Sequence, residues 1–196
     1  MARQTIQLHD DSGQRKYLTH DERVLFLRAC DSLTTEKALF CKTLLFCGCR
    51  ISEALQLTRE RIDEQNQTIV FRTLKRRSTS HQRAVPTPSE IIKNLMKIPP
   101  NESDSILWQF SRRTAWLAVK AAMKEAGISG TQACPKGLRH GFGIACAENN
   151  VPVSLIKQWL GHASIETTII YLNAVGKEEQ NFAKRTWFDL KSSIKS

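Results

Sequence analysis

Apolar residues recur along the chain in short runs separated by polar and glycine punctuation, and most of the runs have helical spacing. The first helix opens at Thr19 with Glu22 three positions on, a capping box, and carries Val24, Leu25, Phe26 and Leu27. A second spans Thr35 to Cys47 and stops at Gly48; it is apolar on most of its faces, which predicts a buried central helix. Cys49 to Leu55 follows as a short apolar helix. Thr68 to Phe71 and Gln82 to Val85 are β-branched or alternating and flank a long basic turn, a hairpin signal. Thr87-Pro88-Ser89-Glu90 is a second capping box, with proline at the first helical position, and launches Ile91 to Met96. From Ser111 a longer helix carries Ala115, Val119, Ala122 and Ala126 to a stop at Gly127, and another opens at Pro135 and runs to about Glu148. Val153 to Leu160 is a short helix with Leu155, Ile156 and Trp159 inward. Gly161 ends it and Ser164 starts the next, which puts Tyr171 about two turns in and His162 in the break. Ala183, Trp187, Leu190 and Ile194 form one helical face in the tail. The pattern predicts a mainly α fold with a small antiparallel β-hairpin, of the α+β class. It divides into a polar arm or linker over 1–16, one domain over 17–176 and a tail helix over 177–196.

At 196 residues the chain is long enough to bury a real core. Lysine and arginine number 29 against 19 aspartates and glutamates, a net charge of +10 and a pI near 9.6. That excess points to a polyanion, and to nucleic acid before membrane, because no apolar span or juxtamembrane basic cluster accompanies it. The charge is also concentrated. No acid lies between Glu64 and Glu90, yet Arg72, Lys75, Arg76, Arg77 and Arg83 all do, and a hairpin carrying them repels itself unless an anion such as DNA phosphate lies across it. The first residues are polar and charged rather than a signal peptide. The six cysteines fall mostly in apolar helical patterns, so free thiols in a reducing cytoplasm are expected. Cys41, Cys47 and Cys49 lack the paired knuckles of a zinc module, and there is no P-loop, Rossmann glycine pattern or H-E-x-x-H. Metal-assisted hydrolysis, ATP and dinucleotide chemistry are therefore unsupported, and no cofactor is expected.

Candidate chemistry sits at the breaks between helices. Arg50 lies between a buried helix and a short apolar one, with Glu53 three residues on, where an ordinary surface pair is worth a few tenths of a kcal/mol. Lys136, Arg139 and His140 crowd a helix start, contrary to the macrodipole, and a bound phosphate reconciles the conflict. Arg50, Lys75, Lys136, Arg139 and His162 are donors suited to a phosphate, and Tyr171 is a nucleophile. Phosphoryl transfer is mostly positioning plus stabilisation of the equatorial oxygens, for which two forked guanidiniums are well shaped.

Arg50-x-x-Glu53, a lysine on a hairpin, Leu138-Arg139-His140, Leu160-Gly161-His162 and a tyrosine nine residues on together resemble the tyrosine recombinase, or phage integrase, family, from roughly Leu18 to Tyr171. The resemblance implies a mostly helical catalytic domain that cuts double-stranded DNA one strand at a time without metal or nucleotide. Tyr171 would attack the scissile phosphate to give a 3′-phosphotyrosyl bond, Arg50 and Arg139 would clamp it, His162 would stabilise the transition state and Lys75 would protonate the leaving 5′-oxygen. The family usually has histidine at Lys136, and lysine there can still donate to phosphate. Arg72, Arg76, Arg77 and Arg83 are expected to face DNA, and Glu53 and His140 to support the helix starts. Family behaviour further implies a tetramer on two DNA sites, with the tail helix exchanged between protomers, in a bacterial cytoplasm and on the nucleoid. Two other readings share much of this pattern: a type IB-like topoisomerase, and a catalytically silent DNA-binding regulatory module.

Overall fold

Local capping chemistry decides where the helices begin. Thr19 Oγ1 accepts from the Glu22 amide while the Glu22 carboxylate takes the Thr19 amide, and α1 (His20–Ala29) starts there, with the capping box intact. The computed structural model describes residues 7–72, 82–99 and 105–173. Lys75, Arg76, Arg77 and the tail over 177–196 lie outside the described residues. α2 (Thr35–Cys47) ends at Gly48 as its pattern predicts, and α3 (Ile51–Ala54) follows at once. β2 (Thr68–Arg72) and β3 (Gln82–Pro86) form the expected antiparallel pair. A strand too short to show a period, β1 (Ile62–Asp63), adds to β2 and makes the sheet three-stranded, in the order β1-β2-β3. The remaining helices are α4 (Ser89–Met96), α5 (Arg112–Glu125), α6 (Pro135–Glu148), α7 (Val153–Leu160) and α8 (Glu166–Leu172).

Several local expectations change. Thr87 does not cap α4; its hydroxyl is buried, donates to the Val85 carbonyl at 3.0 Å and meets Cys47 Sγ at 3.3 Å, so Pro88 precedes the helix instead. Ser164 does not cap α8, because its hydroxyl pairs with Thr167 Oγ1 at 2.9 Å and the turn is already helical at Ile165. Leu155 faces outward, while Ile156 and Leu160 are buried. The arm is partly folded: Asp10 Oδ1 accepts from the amides of Ser12 and Gln14, the Lys16 amide donates to the Leu8 carbonyl, and Leu8 is buried.

Two apolar clusters result. The larger one packs α1, α2, α4 and α5 under the sheet, with Phe40 edge-on to Trp108 and the Trp108 indole donating to the Ala54 carbonyl at 2.7 Å. The smaller one gathers Leu8, Phe142, Ile144, Ile156, Leu160 and Tyr171 between α6, α7 and α8. α6 belongs to both, through Leu138 in the first and Phe142 in the second. The residues that follow Pro135 on this helix therefore lie at the junction of the two. All six cysteines are unpaired and only Cys134 is not buried. Among the described residues no helix is long and apolar enough to cross a membrane.

Candidate active site

Arg139 is fixed by two helix ends. Its Nη1 donates to the Gly48 carbonyl, where α2 stops, at 2.8 Å, and its Nη2 donates to the Leu160 carbonyl, the last of α7, at 2.6 Å. Carbonyls at helix C-termini lack intrahelical partners and carry the negative end of the macrodipole, so they suit a buried cation. Burial nevertheless pushes the Arg139 pKa down, to about 10, which leaves it charged at neutral pH.

The end of α7 also sets His162. Gly161 adopts φ 64°, which only glycine takes without strain, and the Gly161 amide then reaches the Gln158 carbonyl while the His162 amide reaches that of Lys157, a Schellman cap. The imidazole turns inward, with Nδ1 2.9 Å from Thr168 Oγ1. Both groups are buried. When the Thr168 hydroxyl donates to Nδ1, the ring's proton sits on Nε2, which leaves Nε2–H as a donor. Burial, then Arg139 and Arg50, push the His162 pKa down to about 3.

Tyr171 lies beneath these groups and is fully buried. Its ring is stacked near His162 at a 6.0 Å centroid distance and a 17° interplanar angle. On the other side it rests on Gly143, where a Cβ would stand 2.8 Å from three ring carbons. Its hydroxyl is 2.9 Å from His140 Nδ1. Burial raises the phenol's pKa to about 12 even though Arg139 and Arg50 act the other way. His140 is pushed down to about 3, by burial first and then by Lys136, Arg139 and Lys16. At neutral pH the phenol and the imidazole are therefore both uncharged. His140 does not brace the start of α6 as expected; it lies in the second turn and holds the tyrosine hydroxyl. Its Nε2 has no partner among the described residues, at a cost of about 1–3 kcal/mol for a buried polar atom.

Arg50 and Arg83 meet over one carboxylate. Glu53 Oε1 accepts from Arg50 Nη1 at 2.6 Å and Oε2 from the Arg50 amide at 2.9 Å, and Arg83 Nη2 reaches Oε2 at 2.5 Å. Glu53 thus supports the start of α3 as expected, and it is wholly buried rather than part of a surface pair. Arg83 departs from the expectation that it faces DNA: its side chain is buried, its Nε donates to the Trp159 carbonyl at 2.7 Å, and it lies over the Phe71 ring. The alternation along β3 puts Arg83 on the same inward face as Val85, a period-two signal that the run of basic residues obscures. Arg72 is exposed at the end of β2, and Lys136 is exposed in the first turn of α6. The structure brings Arg50, Arg139, His162 and Tyr171 together. Thr168 and Gly143 join them, and single-sequence reasoning passes both over, although glycine in a helix interior signals a close neighbour.

Two guanidiniums, Arg50 and Arg83, share the one Glu53 carboxylate here, and among the described residues no ion pair involves Arg139. Such an imbalance suits an anion, with guanidinium donors and an imidazole beside them. Among the described residues no group of three or more His, Cys, Asp or Glu is placed to hold a metal ion.

Comparison with known proteins identifies the family and the fold. The profile of the phage integrase family matches residues 16–178. The tyrosine recombinase XerA of Pyrococcus furiosus is 26% identical over 181 residues, covering 87% of this chain and 61% of the relative, so the chain spans about six-tenths of that protein's length. A crystal structure of XerA recombinase superposes with a TM-score of 0.73 at 25% identity, over 87% of this chain and 64% of the other. The catalytic domain of bacteriophage HP1 integrase shares the fold, with a TM-score of 0.65 at 23% identity, over 86% of this chain and 93% of that domain. The mostly helical architecture with its small antiparallel sheet is that of a tyrosine recombinase catalytic domain, and the chain belongs to the phage integrase family.

Proposed function

We propose that the chain is the catalytic part of a site-specific recombinase that cleaves and rejoins double-stranded DNA through a covalent bond between Tyr171 and a 3′-phosphate. The observation that carries the reading is the unbalanced positive site of Arg50 and Arg139, next to His162 and above a single phenol. The two guanidiniums take the non-bridging oxygens of the scissile phosphate, and His162 donates through Nε2 while Thr168 holds Nδ1. The Tyr171 oxygen, once uncovered, gives its proton to solvent and attacks phosphorus, the P–O5′ bond breaks, and the departing 5′-oxygen takes a proton, a role that the family resemblance implies for Lys75. Attack by a 5′-hydroxyl on the phosphotyrosyl bond reverses these events and reseals a strand. The bond energy stays in the linkage, so no nucleotide is consumed. Lys136, exposed at the mouth of α6, suits contact with an adjacent phosphate rather than the phenol. Arg72, Arg76 and Arg77 track the DNA backbone from the hairpin, and four protomers assemble on two sites, with the segment 177–196 as the exchanged element.

Because Tyr171 is fully buried, the residues covering it have to shift before phosphorus and phenol meet. The same burial favours a second reading, a module that binds DNA and never cuts it. A nicked suicide substrate separates the two. Wild-type protein is expected to become covalently linked to the fragment carrying the 3′-phosphate, and Tyr171→Phe is expected to bind the same DNA without forming the adduct. An adduct with the phenylalanine variant moves the nucleophile elsewhere, and binding without any wild-type adduct establishes the silent module.

A further inference from the structure

The geometry points to His140 as a positioning residue for the Tyr171 nucleophile, its Nδ1 accepting the phenolic O–H and fixing the oxygen before attack. The inference rests on the reading of Tyr171 as the nucleophile. The hydroxyl and Nδ1 are 2.9 Å apart and both side chains are buried, so water cannot compete for the bond. His140 is the hydroxyl's described partner. His162, the other nearby imidazole, is stacked on the ring and has its own Nδ1 engaged by Thr168, which leaves the phenol's proton to His140. A buried phenol needs such an acceptor.

The residue's own surroundings argue against a packing role. With the phenol donating to Nδ1, the imidazole proton sits on Nε2, where no partner exists among the described residues. A phenylalanine or leucine would fill the space without that loss. What the imidazole supplies, and they do not, is an acceptor aimed at one oxygen. Gly143 supports the same alignment: the ring lies where a Cβ would be, so its seat against α6 depends on glycine at this position. Lys136, at the position where the family usually has a histidine, is exposed in the first turn of α6, while His140 lies one turn further in at the phenol.

The test compares His140→Leu with His140→Asn, two side chains of nearly equal shape, of which only Asn offers an acceptor close to the Nδ1 position. Single-turnover adduct formation on the nicked substrate is measured together with the dissociation constant of the noncovalent complex. For His140→Leu the expectation is an unchanged dissociation constant and an adduct rate about a hundredfold lower, the scale of a misplaced reacting group. For His140→Asn the rate returns to within about tenfold of wild type. Equal rates for the two variants overturn the positioning role, while a wild-type protein that forms no adduct overturns the function on which it rests. If a variant does not fold, the hydrogen bond is read in folded protein by ¹⁵N-histidine spectroscopy. One bare, hydrogen-bonded Nδ1 is expected to change its shift in Tyr171→Phe. No change in any Nδ1 signal overturns the assignment.

Discussion

His140 and His162 are held uncharged by their burial and by the guanidiniums around them, each with its pKa pushed down to about 3 from an ordinary value of 6.5. Between those values the unfolded chain binds protons that the folded chain refuses, so folding stability rises with pH there. Their contribution is fully present above about 6.5 and is lost as pH falls towards 3, by roughly 1.4 kcal/mol per histidine for each pH unit. Urea denaturation at a series of pH values is expected to show the loss beginning near 6.5, before the lowered carboxylates such as Glu53 start to protonate. A midpoint that stays flat from pH 7 to pH 5 would mean that neither imidazole is buried as described. That Arg50, Arg139, His162 and Tyr171 converge was legible from the sequence because each falls in a short motif at or just after a helix break. The contact between Thr168 and His162 Nδ1 was not legible, because a threonine six residues after a histidine carries no pattern until a turn brings the two together.

Among the elements, α6 concentrates the information. Its start at Pro135 and end at Glu148 follow from proline at the first position and the loss of apolar period, and the structure keeps both bounds. What the period could not convey is that its glycines are contact points rather than weak spots. At Gly143 the tyrosine ring occupies the place of a side chain, with three ring carbons 2.8 Å from an added Cβ. Gly143→Ala is therefore expected to destabilise the fold by about 1–3 kcal/mol, the cost of overpacking a tight contact, and to raise the exposure of Tyr171 to tyrosine-modifying reagents. Equilibrium unfolding and the extent of nitration check the two parts, and unchanged values for both would remove Gly143 from the seat. Element ends set by side chains were read less well. Thr87 and Ser164 both offered capping chemistry, and in each case the hydroxyl found a nearer partner.

At the scale of the whole molecule, the strong positive charge divides into two kinds. Arg72 is exposed, whereas Arg83 is buried between Glu53, Phe71 and the end of α7. Affinity for DNA is expected to fall steeply with salt, and Arg72→Ala is expected to flatten the slope of log K against log salt by about one. Arg83→Ala is expected to leave the slope unchanged and to cost roughly 3–5 kcal/mol of stability, because it leaves Glu53 buried with one partner fewer. Binding titrations at several salt concentrations, paired with denaturation curves, separate the two. A net charge counted along the chain cannot make this distinction, because alternation on a strand decides which cations reach solvent and which tie the sheet to the helices.

The fully buried Tyr171 has a consequence for the intact genome. On the proposed reading, a protein of this charge drifts along DNA past many phosphodiesters for each one it is meant to open. With the phenol oxygen covered and still carrying its proton, it would pass them harmlessly, and a break would become possible only where the right site uncovers that oxygen.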